Sequence, residues 1–119
     1  MCYQDEHVVA FKDIRPVAKQ HILVLPKRHI KNVNALTPAH GPLLKHMHSV
    51  ALKLLGKKDG EKDDISVKIG FHRVLSTSVD HLHMHGFELP FKSNWIKYTK
   101  YHPGYFLDID KIYNRLKLI

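Results

Sequence analysis

Residues 81–85 read His-Leu-His-Met-His, and this strict alternation constrains the fold more than any other stretch of the chain. In a β-strand successive side chains point to opposite faces. His81, His83 and His85 therefore share one face, while Leu82 and Met84 share the other. One face packs a core. The other carries groups that titrate near neutrality and serve as nucleophile, acid, base or ligand. A row of three marks a candidate active site.

The 119 residues are read as a single domain, 1–119. No apolar run is long enough to span a bilayer and no signal-peptide pattern opens the chain, so no membrane partner is expected. The one cysteine, Cys2, excludes an intramolecular disulfide framework and a multi-cysteine zinc site. A reducing compartment, cytosol or nucleus, is expected. The net charge of +8, with eleven histidines counted as neutral, favours anionic partners such as nucleotides or nucleic acid. Lysines are spread over the whole chain, so solubility is the competing explanation. The dense cluster is Lys27-Arg28-His29-Ile30-Lys31.

Val8–Lys12 reads as a short strand ended by Asp13-Ile14-Arg15-Pro16, because proline cannot donate to a ladder. The continuous apolar run Ile22-Leu23-Val24-Leu25 predicts a strand covered on both faces, ended by Pro26. Thr37-Pro38 predicts a helix start, with threonine as N-cap and proline in the first turn. Leu43, Leu44, Met47, Val50, Ala51, Leu54 and Leu55 follow at helical spacing, and Gly56 marks the stop. Ile65–Phe71 alternates as a strand, 73–80 reads as a loop, and His81–Leu89 as the histidine strand. Residues 90–104 read as irregular. Asp108–Leu118 predicts a C-terminal helix with Ile109, Ile112, Tyr113 and Leu116 on one side. The expectation is an α+β fold: a mainly antiparallel sheet of four to five strands, one long helix and a short C-terminal helix.

Two chemistries suit the histidine row. Same-face neighbours on a strand are about 7 Å apart and the outer pair about 13 Å, so one metal ion cannot easily collect all three. A metal site would need two of them and a further ligand such as His21 or Asp80. Nucleophilic catalysis fits better, and no metal or cofactor is expected. A neutral imidazole attacks phosphorus well, and the phospho-imidazole bond is labile enough to be hydrolysed next. Such a nucleophile needs its other nitrogen held by an acceptor, and donors around the phosphate. Ser76-Thr77-Ser78 supplies hydroxyl and backbone donors just before the row, although an ordinary polar turn has the same composition.

The segment His81-Leu82-His83-Met84-His85-Gly86-Phe87 resembles the signature of the histidine triad (HIT) family, with Gly86 a mild departure. Phe11–Pro16 and His21-Ile22-Leu23-Val24-Leu25-Pro26-Lys27-Arg28-His29 resemble the family's nucleotide-binding strands. Gly70-Phe71-His72, Ser78-Val79-Asp80 and the tail around Trp95 are most similar to the Hint-type branch, which includes plant adenylylsulfate-cleaving members and the animal Hint 3 type. The family usually begins with a further segment that closes the base pocket, and this chain is expected to lack it.

The resemblance implies a role for each matched position. His83 would be the nucleophile, and the His81 carbonyl would hold its second nitrogen. His85 would contact the phosphate and assist the leaving group, and His21 would complete the cluster. Ser78 would approach the phosphate, with Ser76 and Thr77 beside it. Asp13 would bond the ribose hydroxyls, and Phe11, Ile14 and Leu23 would line the base pocket. The implied ligand is a purine nucleotide of the AMP type, and the implied assembly a two-fold homodimer. The expected activity is a nucleotidyl hydrolase or transferase acting on an adenosine phosphoramidate or adenylylsulfate through a nucleotidyl-histidine. The alternatives are aprataxin-like removal of AMP from adenylated nucleic-acid ends, with Leu43–His48 as its local likeness, and a non-catalytic nucleotide-binding protein.

Overall fold

The apolar run Ile22-Leu23-Val24-Leu25 lies inside the longest strand of the sheet, β3 (Ala18–Pro26). The structure is a computed structural model and describes residues 2–13, 18–56, 67–72, 81–91 and 106–118. The other strands are β1 (Tyr3–Gln4), β2 (Val8–Lys12), β4 (Val67–His72), β5 (Met84–Phe91) and β6 (Phe106–Asp108). All pair antiparallel in one sheet of order β1-β2-β3-β5-β4-β6. Helix α1 (Gly41–Leu54) follows β3, and the short helix α2 (Ile109–Arg115) follows β6. The α+β class and antiparallel sheet are as the sequence predicts, and the described residues form six strands where four to five were expected. The additions, β1 and β6, have two and three residues, too few to leave a period in the sequence.

Register decides which face each residue serves, because directly opposed residues in an antiparallel ladder share a face. Ala10 opposes Val24, Val24 opposes Met84, and Ile22 opposes Gly86. This face is sealed by α1, whose Leu44, Met47, Val50 and Ala51 are buried. Gly86 has a packing reason: a Cβ there would stand 3.0 Å from Ile22 Cγ1 and 3.4 Å from Leu55 Cδ1, so neighbours fill its space. The other face holds Leu23 and Leu25, both half-buried, and Phe11, which is 38% exposed. The expectation that the run is covered on both sides is thus met on one side only. Its second side belongs to the histidine face.

Helix ends follow local chemistry. Thr37-Pro38 does start helical structure, but as a 3₁₀ turn (Pro38–His40) in which the Thr37 N–H donates to His40 Nδ1 at 2.9 Å, and α1 begins at Gly41. Gly56 stops α1 in the left-handed region, φ 80°, with its N–H on the Lys53 carbonyl at 3.0 Å. At the end of α2, Lys117 takes φ 58°, and the Leu118 N–H reaches back to the Tyr113 carbonyl at 2.9 Å, which closes a Schellman turn. The C-terminal helix is therefore shorter than predicted. Asp108 lies in β6 and stands at the N-cap position of the helix without a side-chain capping bond, and Ile109, Ile112, Tyr113 and Leu116 are buried as expected.

One polar knot pins the amino-terminal hairpin to α1. The Asp5 carboxylate accepts from Tyr3 Oη at 2.7 Å, from the His7 and Val8 N–H groups at 2.8 and 2.9 Å, and pairs with His46 Nε2 at 2.6 Å. Burial opposes its ionisation. The hydrogen bonds from Tyr3, His7, Val8 and His46 outweigh that and hold the carboxyl well below the usual carboxylate range.

Candidate active site

The ladder lays the candidate residues in rows across the sheet. Phe11 opposes Leu23, Leu23 opposes His85, and His85 opposes Gly70. In the adjacent row the Asp13 N–H donates to the His21 carbonyl at 2.9 Å, His21 opposes Phe87, and Phe87 opposes Lys68. Residues two apart on β2, β3 and β5 thereby bring Phe11, Asp13, His21, Leu23 and His85 onto one face, as the alternation predicts.

Strand β5 begins at Met84, so His81 and His83 precede the ladder instead of lying within it. The last rung between the two strands is Val24 to Met84, and β3 runs on to Pro26 paired with β2. The alternation nevertheless persists, with Leu82 and Met84 buried and His81 and His83 half-buried on the other side. Three ties hold this stretch to the end of β3 and the residues that follow it. The Leu82 N–H donates to the Ile30 carbonyl at 2.7 Å. His81 Nε2 lies 2.9 Å from the Pro26 carbonyl oxygen. The His29 ring stands edge-on to His81 with centroids 5.7 Å apart.

His83 Nδ1 lies 2.9 Å from the His81 carbonyl oxygen. A carbonyl only accepts, so the ring proton sits on Nδ1 and the lone pair of a neutral His83 on Nε2. The geometry thus selects the tautomer that a nucleophile attacking through Nε2 requires. The His83 and His85 rings are 5.0 Å apart at 62°.

His85 and His21 are each only 3% exposed and form an imidazole pair, His21 Nε2 to His85 Nδ1 at 3.0 Å. One ring donates and the other accepts. His21 Nδ1 faces Asp13 Oδ2 at 3.6 Å. Burial pushes the His21 pKa down to about 4 against the upward pull of the Asp13 carboxylate, so its ring is neutral at pH 7. An acid-to-imidazole chain therefore runs from Asp13 through His21 to His85, beside His83. Phe87 stacks on His85 at 9°, with centroids 5.8 Å apart, and lies 4.4 Å from His21.

Sequence reasoning missed two parts of this wall. Phe106, on β6, reaches across Gly70 to lie 6.4 Å from His85 and 5.9 Å from Phe87. A Cβ on Gly70 would meet its ring at 2.8 Å, so the bare glycine beside His85 makes room for it. Lys68 Nζ sits 5.2 Å over the same ring and 3.9 Å from Asp108 Oδ2. Nothing local in the sequence announces these contacts, since Phe106 lies 21 positions from His85 and 36 from Gly70. Ile14, Ser76, Thr77, Ser78 and Asp80 fall outside the described residues. Among the described residues no group of three His, Cys, Asp or Glu side chains is arranged to hold a metal ion.

Comparison with known proteins agrees with this geometry. A family profile described as "Scavenger mRNA decapping enzyme C-term binding" matches residues 1–101. The bifunctional adenosine 5′-phosphosulfate phosphorylase/adenylylsulfatase HINT4 of Arabidopsis thaliana is 38% identical over 98% of this chain and 82% of its own length. The adenosine 5′-monophosphoramidase HINT3 of Xenopus tropicalis is 38% identical over 71% of this chain and 55% of its own. Aprataxin of Ciona intestinalis is 35% identical over 96% of this chain, which spans only 30% of that protein. Among solved structures, a HIT family hydrolase from Clostridium thermocellum superposes with a TM-score of 0.61 at 31% identity, covering 75% of this chain and 77% of its own. With its alternating histidines on the open face of an antiparallel sheet, the chain belongs to the histidine triad family.

Proposed function

We propose that the chain is a nucleotide hydrolase or transferase that cleaves adenosine 5′-phosphoryl compounds through a nucleotidyl-His83 intermediate. The observation that carries this reading is the His83 Nδ1 to His81 carbonyl contact at 2.9 Å, which puts the lone pair on Nε2. His83 Nε2 attacks the α-phosphorus, a P–N bond forms, and the bond to the leaving group breaks with its electron pair. Water then attacks the same phosphorus, the P–N bond breaks, and AMP leaves while the imidazole is restored. A phosphate acceptor in place of water makes the second step a phosphorolysis.

The rest of the face suits this chemistry. His85, next to His83 and tied to the neutral His21, handles the proton that an amine leaving group needs. Asp13 has two tasks open to it: its carboxylate lies beside His21, and the family resemblance implies contact with ribose. Phe11 and Leu23, side by side and incompletely buried, offer an apolar surface for the base. Ser76, Thr77, Ser78 and Ile14 keep the phosphate and base roles implied by resemblance. The relatives' names favour adenylylsulfate or an adenosine phosphoramidate as substrate. The aprataxin relationship keeps a 5′-adenylated nucleic-acid end as the second reading.

Turnover of adenosine phosphoramidate, adenylylsulfate, a diadenosine polyphosphate and a 5′-adenylated oligonucleotide, ranked by kcat/KM, tests the proposal. His83→Ala should abolish release of AMP, by about a thousandfold or more, with an unchanged circular dichroism spectrum. A His83→Ala protein with full activity refutes the mechanism.

A further inference from the structure

The segment that follows β3 carries charge that the reaction scheme above leaves unused. Lys27, Arg28, His29 and Lys31 are all exposed, and among the described residues Lys27, Arg28 and Lys31 make no ion pair. Yet the segment is not a loose basic tail. Ile30 is buried at 5% exposure and anchors it in the core. The Lys27 N–H donates to the His7 carbonyl at 2.8 Å at one end, and the Ile30 carbonyl accepts from Leu82 at 2.7 Å at the other. His81 Nε2 reaches the Pro26 carbonyl at 2.9 Å, and His29 stands against the His81 ring. The same His81 supplies the carbonyl that orients His83. The backbone thus fixes Lys27, Arg28 and Lys31, which pair with no acid among the described residues, to the rim of the histidine row, at the end opposite Asp13 and His21.

We propose that residues 27–31 form a leaving-group subsite, in which Lys27 and Arg28 hold the anionic portion of the substrate beyond the scissile phosphate. This rests on the phosphoryl-transfer reading above. The two candidate substrate types differ in what departs. When His83 Nε2 displaces sulfate from adenylylsulfate, the P–O bond breaks and sulfate leaves as a dianion that needs no proton. Fixed cations stabilise that departing charge directly. When it displaces the amine of a phosphoramidate, the P–N bond breaks and the nitrogen must gain a proton, which an imidazole supplies and a lysine rim does not. The rim therefore biases the chain toward substrates with anionic leaving groups: sulfate, a second phosphate or the 5′-phosphate of a nucleic acid.

The double variant Lys27→Ser/Arg28→Ser tests this, because both side chains are exposed and the fold should tolerate it. For adenylylsulfate, kcat/KM should fall about tenfold and lose much of its dependence on salt, the scale expected when charge-assisted contacts are removed. For adenosine phosphoramidate the change should stay within about twofold. An equal fall for both substrates, or an unchanged value for adenylylsulfate, overturns the proposal. A fall confined to a 5′-adenylated oligonucleotide overturns it too, and makes the rim a nucleic-acid contact instead. Calorimetric titration with AMP and ADP reads the rim without turnover. ADP, with its extra phosphate, should bind the wild type about fivefold more tightly than AMP, and the variant should lose that preference. Equal affinities in the wild type sink the subsite even if the enzyme is active. An ADP preference that the variant loses, in a protein that turns over none of the substrates, leaves the subsite standing and removes the hydrolase reading.

Discussion

His21 is a base enclosed where protonation is disfavoured, and that has a consequence for stability. Its folded pKa of about 4 lies below the 6.5 of a free imidazole, so between those values the unfolded chain holds the extra proton. Its neutral burial therefore favours the fold fully above pH 6.5, and that contribution is lost as pH falls toward 4. Asp5 acts in a lower window. Its folded pKa lies below the ordinary 3.8, so the stability it lends is present above that value and lost beneath it. Urea midpoints followed from pH 7.5 to pH 3 should show both losses, and His21→Phe should flatten the first while leaving the second. A His21→Phe protein with the wild-type slope between pH 6.5 and 4 would assign that slope to other histidines. At this scale the sequence was most legible where chemistry is local. The His81 carbonyl on His83 Nδ1 needs only a two-residue step, and the resemblance implied it. The neutrality of His21 was not legible, because Phe87 and His85, which enclose it, arrive from a strand more than 60 residues later.

Strand β6 shows how an element of three residues completes a site. It pairs Phe71 with Leu107 and Gly70 with Asp108, and so brings Phe106 over Gly70 against His85. The arrangement depends on a missing side chain. A methyl on Gly70 would collide with the Leu107 carbonyl oxygen as well as the Phe106 ring, and backbone gives way poorly. Gly70→Ala should therefore cost about 3 kcal/mol, or roughly 10 °C in Tm, and should lower kcat because the wall behind His85 moves. Calorimetry and turnover of the same preparation check this, and a wild-type Tm would show that Phe106 does not pack there. Periodicity exposed α1 and the core of β3 because each repeats its pattern over many residues. It could not expose β1 or β6, whose existence is fixed by partners elsewhere in the chain. It also extended the histidine strand too far toward its start: the alternation of 81–85 continues, but the ladder to β3 gives out at Val24 and Met84.

The sheet as a whole determines how two copies could meet. An open, long edge strand would invite a second copy to extend the sheet. Among the described residues the outer edges are the two residues of β1 and the three of β6, while β4, six residues long, is bonded to β5 along Val67–Gly70 and to β6 along Gly70–His72. In the homodimer implied by family resemblance, Gly70–His72 of one copy therefore cannot pair with β4 of the next while β6 stays docked. Hydrogen exchange tests the point together with sedimentation equilibrium, which reads mass against the 13.8 kDa of one chain. The amides of Gly70–His72 should be protected in dilute solution, where single chains prevail, and should gain nothing over a hundredfold rise in concentration, roughly the range that separates weak from stable dimers. Protection of β4 that grows only as the mass doubles would mean that the strand pairs between copies, with β6 displaced and Phe106 drawn away from His85.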